Sequence, residues 1–185
     1  ALDVRRATLG PDDPDFGRSL NALGTLYNRQ GRYQDAEKLL RQSVEVLAES
    51  LGPDSPDLAE AQMQLGLNCF LLGRHQEAEV LYRRALQIRE SALGPESPEV
   101  ATNLAHLGFL LNNQERYRDA EGYLSRALTI REAALGADHF QVADSLDLLG
   151  DVYANEARNA QAQSLYLRSL DIKRKVYSPD HPLVA

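Results

Sequence analysis

The chain has 185 residues, of which 43% are hydrophobic and 25% are charged, a composition that excludes a disordered, collagen-like or disulfide-rich protein. Its 20 basic and 27 acidic side chains give a net charge of −7, which argues against nucleic acid and anionic membrane surfaces as partners. Cys69 is the only cysteine, and no apolar run approaches the roughly 20 residues that span a bilayer, so we expect a cytoplasmic protein without an intrachain disulfide.

A turn segment rich in glycine, proline and aspartate recurs along the chain at a fixed spacing. Its copies read GPDDPD, GPDSPD, GPESPE, GADHFQ and SPDHPL, and each starts 42 residues after the previous one. Such periodicity is typical of repeat proteins, in which each unit packs on its neighbours. The sequence therefore predicts a single array over residues 1–185. Four full repeats are predicted at 10–51, 52–93, 94–135 and 136–177, with the end of a preceding repeat at 1–9 and the start of a following one at 178–185.

In chain order, each repeat begins with this turn and continues into two predicted helices, as repeat two illustrates. Gly52 suits the left-handed backbone that follows a helix end, Ser55 is a suitable N-cap, and Pro56 fits the first position of the next helix. This first helix is predicted to end near Gly73. Apolar residues at helical spacing from Ala78 onwards predict the second helix. Each repeat is therefore expected to form an antiparallel helical hairpin.

Small residues return at two fixed positions of every repeat. A leucine followed by glycine lies in each first helix, and an alanine lies in each second helix. Side chains this small allow neighbouring helices to approach closely, and a larger side chain would push them apart. The glycines are Gly24, Gly66, Gly108 and Gly150, and the alanines are Ala36, Ala78, Ala120 and Ala162.

The combined pattern resembles the tetratricopeptide repeat signature. An aromatic or apolar residue lies three positions after each glycine, and another lies four positions after each alanine, as Tyr27 and Leu40 do in repeat one. The 42-residue unit with its LGPDxPD connection is similar to the repeats of kinesin light chains. The resemblance implies an all-α fold, an α-α superhelix in which antiparallel hairpins form a right-handed solenoid. It also implies a concave groove, lined by the first helices, that receives a protein or peptide partner without a cofactor.

Three further positions share one face of each first helix and are predicted to face this groove. They start two residues before the leucine of the Leu-Gly pair and recur four and seven residues later. Their character is polar in repeat one, apolar in repeat two, mixed in repeat three and acidic in repeat four, whereas the packing positions stay alike. The residues are Asn21, Thr25 and Asn28; Met63, Leu67 and Phe70; Ala105, Phe109 and Asn112; and Asp147, Asp151 and Ala154.

Four apolar members of this set predict an anchor pocket for a partner's side chain, because an exposed apolar patch usually marks an interaction surface. They are Met63, Leu67, Phe70 and Phe109. Two alternatives stay open. The side chains could instead pack against the neighbouring hairpins, or the chain could self-associate through them.

Asparagines near the ends of the first helices form a second candidate group. A carboxamide there can bond a ligand backbone through both its donor and its acceptor, although asparagine is also common where helices end. These residues are Asn28, Asn112, Asn113 and Asn155. His106 is expected to face the groove beside Phe109, but one imidazole without an orienting acid does not make a catalytic site.

Acidic residues align on the first helix of repeat four. Asp147 and Asp151, with Asp144 one turn earlier, are candidates to meet a basic stretch of ligand. The alternative is a solvated acidic face on an acidic protein.

Catalytic and metal-binding signatures do not emerge from the sequence. It contains no glycine-rich phosphate loop and no His or Cys pair at metal-ligand spacing, and Cys69 falls in a packing column. We therefore expect a non-enzymatic interaction module that belongs to a larger scaffold, adaptor or signalling protein. The competing hypothesis is a structural or regulatory array. Such an array would form homo-oligomers through its groove or its ends, or would pack on another domain of its own chain.

Overall fold

The computed structural model describes residue 10 and residues 12–176, and this part of the chain is helical without any strand. The predicted partial repeats at 1–9 and 178–185 lie outside the described residues. The eight helices, which we number in chain order, are α1 (Pro14–Arg29), α2 (Tyr33–Leu51), α3 (Pro56–Leu71), α4 (His75–Leu93), α5 (Pro98–Asn113), α6 (Tyr117–Leu135), α7 (Phe140–Asn155) and α8 (Asn159–Val176). The prediction of an all-α fold with two helices per repeat is confirmed.

The helix ends follow the predicted turn chemistry, with two differences. Gly52 has φ 84° and ψ 173°, so its φ is positive as expected, but its ψ is extended, a combination that is essentially restricted to glycine. Ser55 occupies the N-cap position of α3 without a side-chain cap hydrogen bond. Its counterpart Ser97 does cap α5, where the hydroxyl accepts from the backbone N–H of Val100 at 3.2 Å.

Each hairpin is closed by the glycine of its first helix. A Cβ placed on Gly66 would lie 2.7 Å from Cε1 of Tyr82, and one on Gly108 would lie 2.5 Å from Cγ of Leu124. Both side chains are fully buried, so the two helices touch at these points with no room for a methyl group. The predicted glycine column therefore packs on the residue four positions after the predicted alanine column.

The chain divides into two compact units. Unit 1 contains α1–α4 and ends at Pro95, and unit 2 begins at Glu96 and contains α5–α8. Within each unit, the second helix of one hairpin packs on the first helix of the next, α2 on α3 and α6 on α7. The two first helices of each unit also touch, α1 with α3 and α5 with α7.

Ion pairs join successive hairpins within each unit. In unit 1, Glu37 of α2 accepts a hydrogen bond from Arg41 at 2.8 Å and pairs with Arg74 at 2.7 Å. Burial alone would raise the pKa of Glu37, but the two guanidinium groups outweigh it and hold that pKa below its usual value. In unit 2, Arg158 contacts Glu121 at 2.8 Å in the equivalent arrangement. Charged side chains thus fix the register of adjacent repeats.

Candidate functional site

A cavity of about 410 Å³ opens in unit 1 where α1, the start of α2 and α3 meet. We call it the α1–α3 pocket. Three of its lining residues were predicted to face a ligand, namely Thr25, Asn28 and Leu67. The other four were not predicted and are Arg29, Tyr33, Gln64 and Leu71.

Asn28 in the wall of the α1–α3 pocket is paired with a second buried carboxamide, that of Asn68, behind the lining. Nδ2 of Asn68 donates to Oδ1 of Asn28 at 2.7 Å and to the backbone carbonyl of Tyr33 at 2.8 Å. Asn28 is 6% exposed, and its own Nδ2 has no hydrogen-bond partner. A buried donor without an acceptor costs about 1–3 kcal/mol. The carboxamide of Asn28, which lines the pocket, therefore carries an unsatisfied buried donor.

Asn68 was missed as a site residue. The sequence signal for it is a polar residue in a column that holds Leu26, Leu110 and Val152 in the other repeats. Asn68 is fully buried, so it acts on the pocket through Asn28, whose carboxamide it orients.

The remaining wall combines apolar surface with one positive charge. Leu67 is half-buried and Leu71 is 38% exposed, so both offer apolar area to a ligand. Arg29 is exposed and is the charged side chain of the lining. This arrangement suits a ligand in which an apolar group adjoins a carbonyl or carboxylate.

Other predicted residues of unit 1 do not contribute in the same way. Met63 is 4% exposed, because α3 is covered by α1, α2 and α4, so this side chain packs against neighbouring helices, as in the alternative that the sequence left open. Asn21 is half-buried, with its Oδ1 unpartnered. The half-buried ring of Phe70 contacts the His75 ring at 5.2 Å between centroids, so part of its surface is used within the repeat.

Unit 2 contains the remaining apolar and amide candidates. Phe109 is 38% exposed and His106 is half-buried, whereas Ala105 is buried. Asn113 donates to the backbone carbonyl of Phe109 at 2.8 Å and so bonds its own helix end. The anchor pocket predicted from Met63, Leu67, Phe70 and Phe109 draws on both units and stays a prediction.

The first helices of unit 2 are linked by an amide pair. Asn155 donates from Nδ2 to Oδ1 of Asn112 at 3.0 Å. Each of the two carboxamides therefore uses one polar atom in a hydrogen bond between repeats three and four.

The acidic candidates of repeat four are engaged by α8. Asp147 accepts a hydrogen bond from Lys173, and Asp151 accepts one from the hydroxyl of Tyr166 at 2.7 Å. Burial and this contact with Asp151 raise the pKa of Tyr166 above its usual value. The two carboxylates thus hold the hairpin together, which reduces their capacity to attract a basic ligand.

Two further properties bear on chemistry. Cys69 is fully buried, and burial, followed by the nearby Glu77, raises the pKa of its thiol to about 11, so the thiolate nucleophile is strongly disfavoured. Among the described residues, no three His, Cys, Asp or Glu side chains are grouped to hold a metal ion.

None of the described helices combines the length and the apolar character required to span a membrane.

Comparison with known families identifies the repeat. The tetratricopeptide repeat model matches residues 1–49, 15–91, 57–111 and 99–175. Among curated proteins, no relative matches the chain at a significant level.

Solved structures share the fold. BtubC (BKLC) from P. vanneervenii superposes with a TM-score of 0.81 at 25% identity, over 91% of this chain and 68% of that one. A kinesin light chain candidate from Podosopora anserina, with nearly identical TPR-like repeats, gives 0.79 at 24% identity, over 92% of this chain and 81% of that one. The apo form of RapI gives 0.76 at 15% identity, and the match covers 91% of this chain and 58% of RapI.

Proposed function

Because the chain belongs to the tetratricopeptide repeat family, we propose that it is a protein-interaction module whose α1–α3 pocket binds a peptide segment of a partner protein. The observation that carries this proposal is the unpartnered Nδ2 of Asn28, which is buried in the wall of a cavity large enough for a side chain. Tetratricopeptide repeats are generally protein-interaction modules, and the unsatisfied donor of Asn28 supports the α1–α3 pocket as the binding site.

The lining supports a ligand of defined chemistry. Nδ2 of Asn28 would donate to a backbone carbonyl, Arg29 would attract an acidic group, and Leu67 with Leu71 would cover an apolar side chain. Full burial of one such apolar side chain contributes about 1.5–3 kcal/mol, and a hydrogen bond adds about 0.5–1.5 kcal/mol. Together these two contacts contribute about 2–4.5 kcal/mol, a substantial share of the roughly 8 kcal/mol that a peptide complex of micromolar affinity requires.

A second part of the proposal concerns the setting of the module. We propose that it is part of a cytoplasmic scaffold, adaptor or signalling protein and that it acts by binding, not catalysis. The similarity of its fold to kinesin-light-chain-like structures supports this proposal, as does the buried, weakly acidic thiol of Cys69.

A peptide library provides the test. We expect the chain to enrich peptides in which an apolar residue adjoins an acidic one, and we expect Arg29→Glu and Leu71→Asp each to weaken these hits about tenfold or more. Both residues are exposed, so these variants should remain folded. The matched control is Arg118→Glu, which reverses an exposed charge on α6 in unit 2 and should leave binding unchanged.

Two outcomes would contradict the proposal. Hits that bind all three variants as tightly as the parent chain would show that the α1–α3 pocket is not their site. A concentration-dependent dimer that dissociates on Leu71→Asp, without peptide hits, would favour self-association of the array.

A further inference from the structure

Gln62 departs from the packing pattern of the first helices. In the other repeats its position is held by Leu20, Leu104 and Leu146, which are 2% exposed or less. Gln62 is 4% exposed, and its Oε1 is buried without a hydrogen-bond partner. An unpaired acceptor in a leucine column is costly, which makes this position a candidate for a role other than packing.

The Gln62 side chain lines a cavity of about 310 Å³ in unit 1, which we call the α2–α4 cavity. It is formed by α2, α3, α4 and the turn before α3, and it shares no lining residue with the α1–α3 pocket. Its apolar walls include Val44, Leu58 and Ile88. Exposed Asp54 and Arg84 lie at its solvent side.

The corresponding place in unit 2 is built differently. Val44 is matched there by Leu128, and Gln62 is matched by Leu146. Leu128 packs against the buried cluster that contains Leu146, so the two leucines fill the space between the hairpins. The α2–α4 cavity therefore arises because repeat one has Val44 and repeat two has Gln62 where repeats three and four have leucine.

Charged residues also close the surface of unit 2 at this place. Glu132 pairs with Arg168 at 2.5 Å, and Lys175 pairs with Asp138 at 3.2 Å. The residues that correspond to Glu132 and Lys175 in unit 1 are Ala48 and Ser91. Both line the α2–α4 cavity and are too short to form the same bridges.

We propose that the α2–α4 cavity is a second binding site, which receives a tryptophan side chain from a partner protein. Buried Oε1 of Gln62 requires a donor, and the indole N–H is a donor with no acceptor of its own to leave unpaired. The apolar walls suit the ring, since tryptophan combines a large apolar body with one polar atom. A cationic side chain is disfavoured because a buried charge is costly to desolvate, and the opposite charges of Asp54 and Arg84 at the solvent side favour neither sign.

The indole must come from outside these 185 residues. They contain no tryptophan, so a second copy of them cannot supply it. Because these residues contain no tryptophan, indole fluorescence comes only from the ligand and offers a second way to follow binding.

The probe for the test is N-acetyl-tryptophanamide. Titration into the chain should perturb the NMR methyl signals of Val44, Leu58 and Ile88, with a dissociation constant of about a millimolar for so small a ligand. The analogue methylated on the indole nitrogen, and N-acetyl-phenylalaninamide, should each bind about tenfold more weakly because neither has an indole N–H to donate to Gln62.

Two variants copy the sequence of unit 2 into unit 1. Gln62→Leu and Val44→Leu should fold, since leucine is the matching residue in repeats three and four, and each should weaken probe binding about tenfold or more. Gln163→Leu, at an exposed position of α8, is the control and should not change it. Peptides bound by the α1–α3 pocket should bind Gln62→Leu normally, which separates this test from that of the proposed function.

Three results would overturn the proposal. They are the absence of methyl perturbation by the probe at millimolar concentration, equal binding of the N-methylated analogue, and unchanged binding by Gln62→Leu. The first result would mean that the cavity holds only water. The second and third would mean that the Gln62 carboxamide has no part in recognition.

Discussion

Nδ2 of Asn68 donates to Oδ1 of Asn28 across 2.7 Å, and this bond joins the first helices of repeats one and two. Both side chains are more than nine-tenths buried. The bond therefore orients a pocket wall and also links two repeats, so its removal should be visible in stability.

We expect Asn68→Leu, which installs the residue found at Leu110 in repeat three, to lower the free energy of unfolding by about 1–2 kcal/mol. The reason is that Oδ1 of Asn28 then joins Nδ2 as a buried atom without a partner. The double variant Asn28→Ala with Asn68→Leu should recover part of this loss, because it removes both polar groups together. Urea unfolding of the two single variants and the double variant measures the coupling, and strictly additive losses would contradict it.

Close helix contact at the glycine column gives the second prediction. Gly66→Ala should lower the free energy of unfolding by about 1–3 kcal/mol, because its new methyl group would overlap the ring of buried Tyr82. The control is Gly122→Ala on α6, where a Cβ meets no atom within 4 Å. This control should stabilise the chain by up to about 1 kcal/mol through its higher helix propensity. Similar unfolding midpoints for the two variants would show that the hairpins tolerate separation at Gly66.

The hairpin core was predictable because its chemistry is repeated. Four copies of the Leu-Gly pair and of the spaced alanine fix which helix faces meet, and Gly66 does pack on Tyr82 as that register implies. Exposure was harder to predict. Spacing alone placed Met63 on an open face, but α3 is covered by neighbouring helices on several sides and buries it.

The pocket was predictable only in part. Thr25, Asn28 and Leu67 follow from the groove spacing, and all three line the α1–α3 pocket. Asn68 and Gln62 were detectable as polar residues in apolar columns, but a single sequence does not show which atoms they face. Their hydrogen bonds and their unpartnered atoms depend on how one hairpin is placed against the next.

Reactivity of the single thiol gives the third prediction. Cys69 is fully buried and its pKa is raised to about 11, so iodoacetamide at pH 8 should modify the folded chain at least about a hundredfold more slowly than the urea-unfolded chain. Labelling of the native protein should then follow its opening equilibrium. Mass spectrometry over a time course measures both rates, and equal rates would show that Cys69 is accessible in the folded state.

The ion pairs between repeats make stability depend on pH in the acid range. Burial of Glu37 by itself would raise its pKa, but Arg41 and Arg74 reverse this effect and leave the pKa below its ordinary value. The folded state thus holds this proton less tightly than the unfolded chain. The carboxylate contributes stability at pH values above its unfolded pKa, which is near 4.5, and this contribution is lost as the pH falls through the lower folded pKa.

Glu37→Gln isolates this contribution. The variant should lose about 0.5–1 kcal/mol of unfolding free energy at pH 7, a value kept small because both arginines are partly exposed to solvent. Its deficit relative to the parent chain should shrink as the pH is lowered from 5 to 3, since the parent then protonates Glu37. Glu45→Gln, at an exposed position of the same helix, is the control for the loss of one carboxylate. Denaturant unfolding at each pH measures the difference, and a deficit for Glu37→Gln that stays constant from pH 7 to pH 3 would show that the pair with Arg41 and Arg74 does not lower the Glu37 pKa.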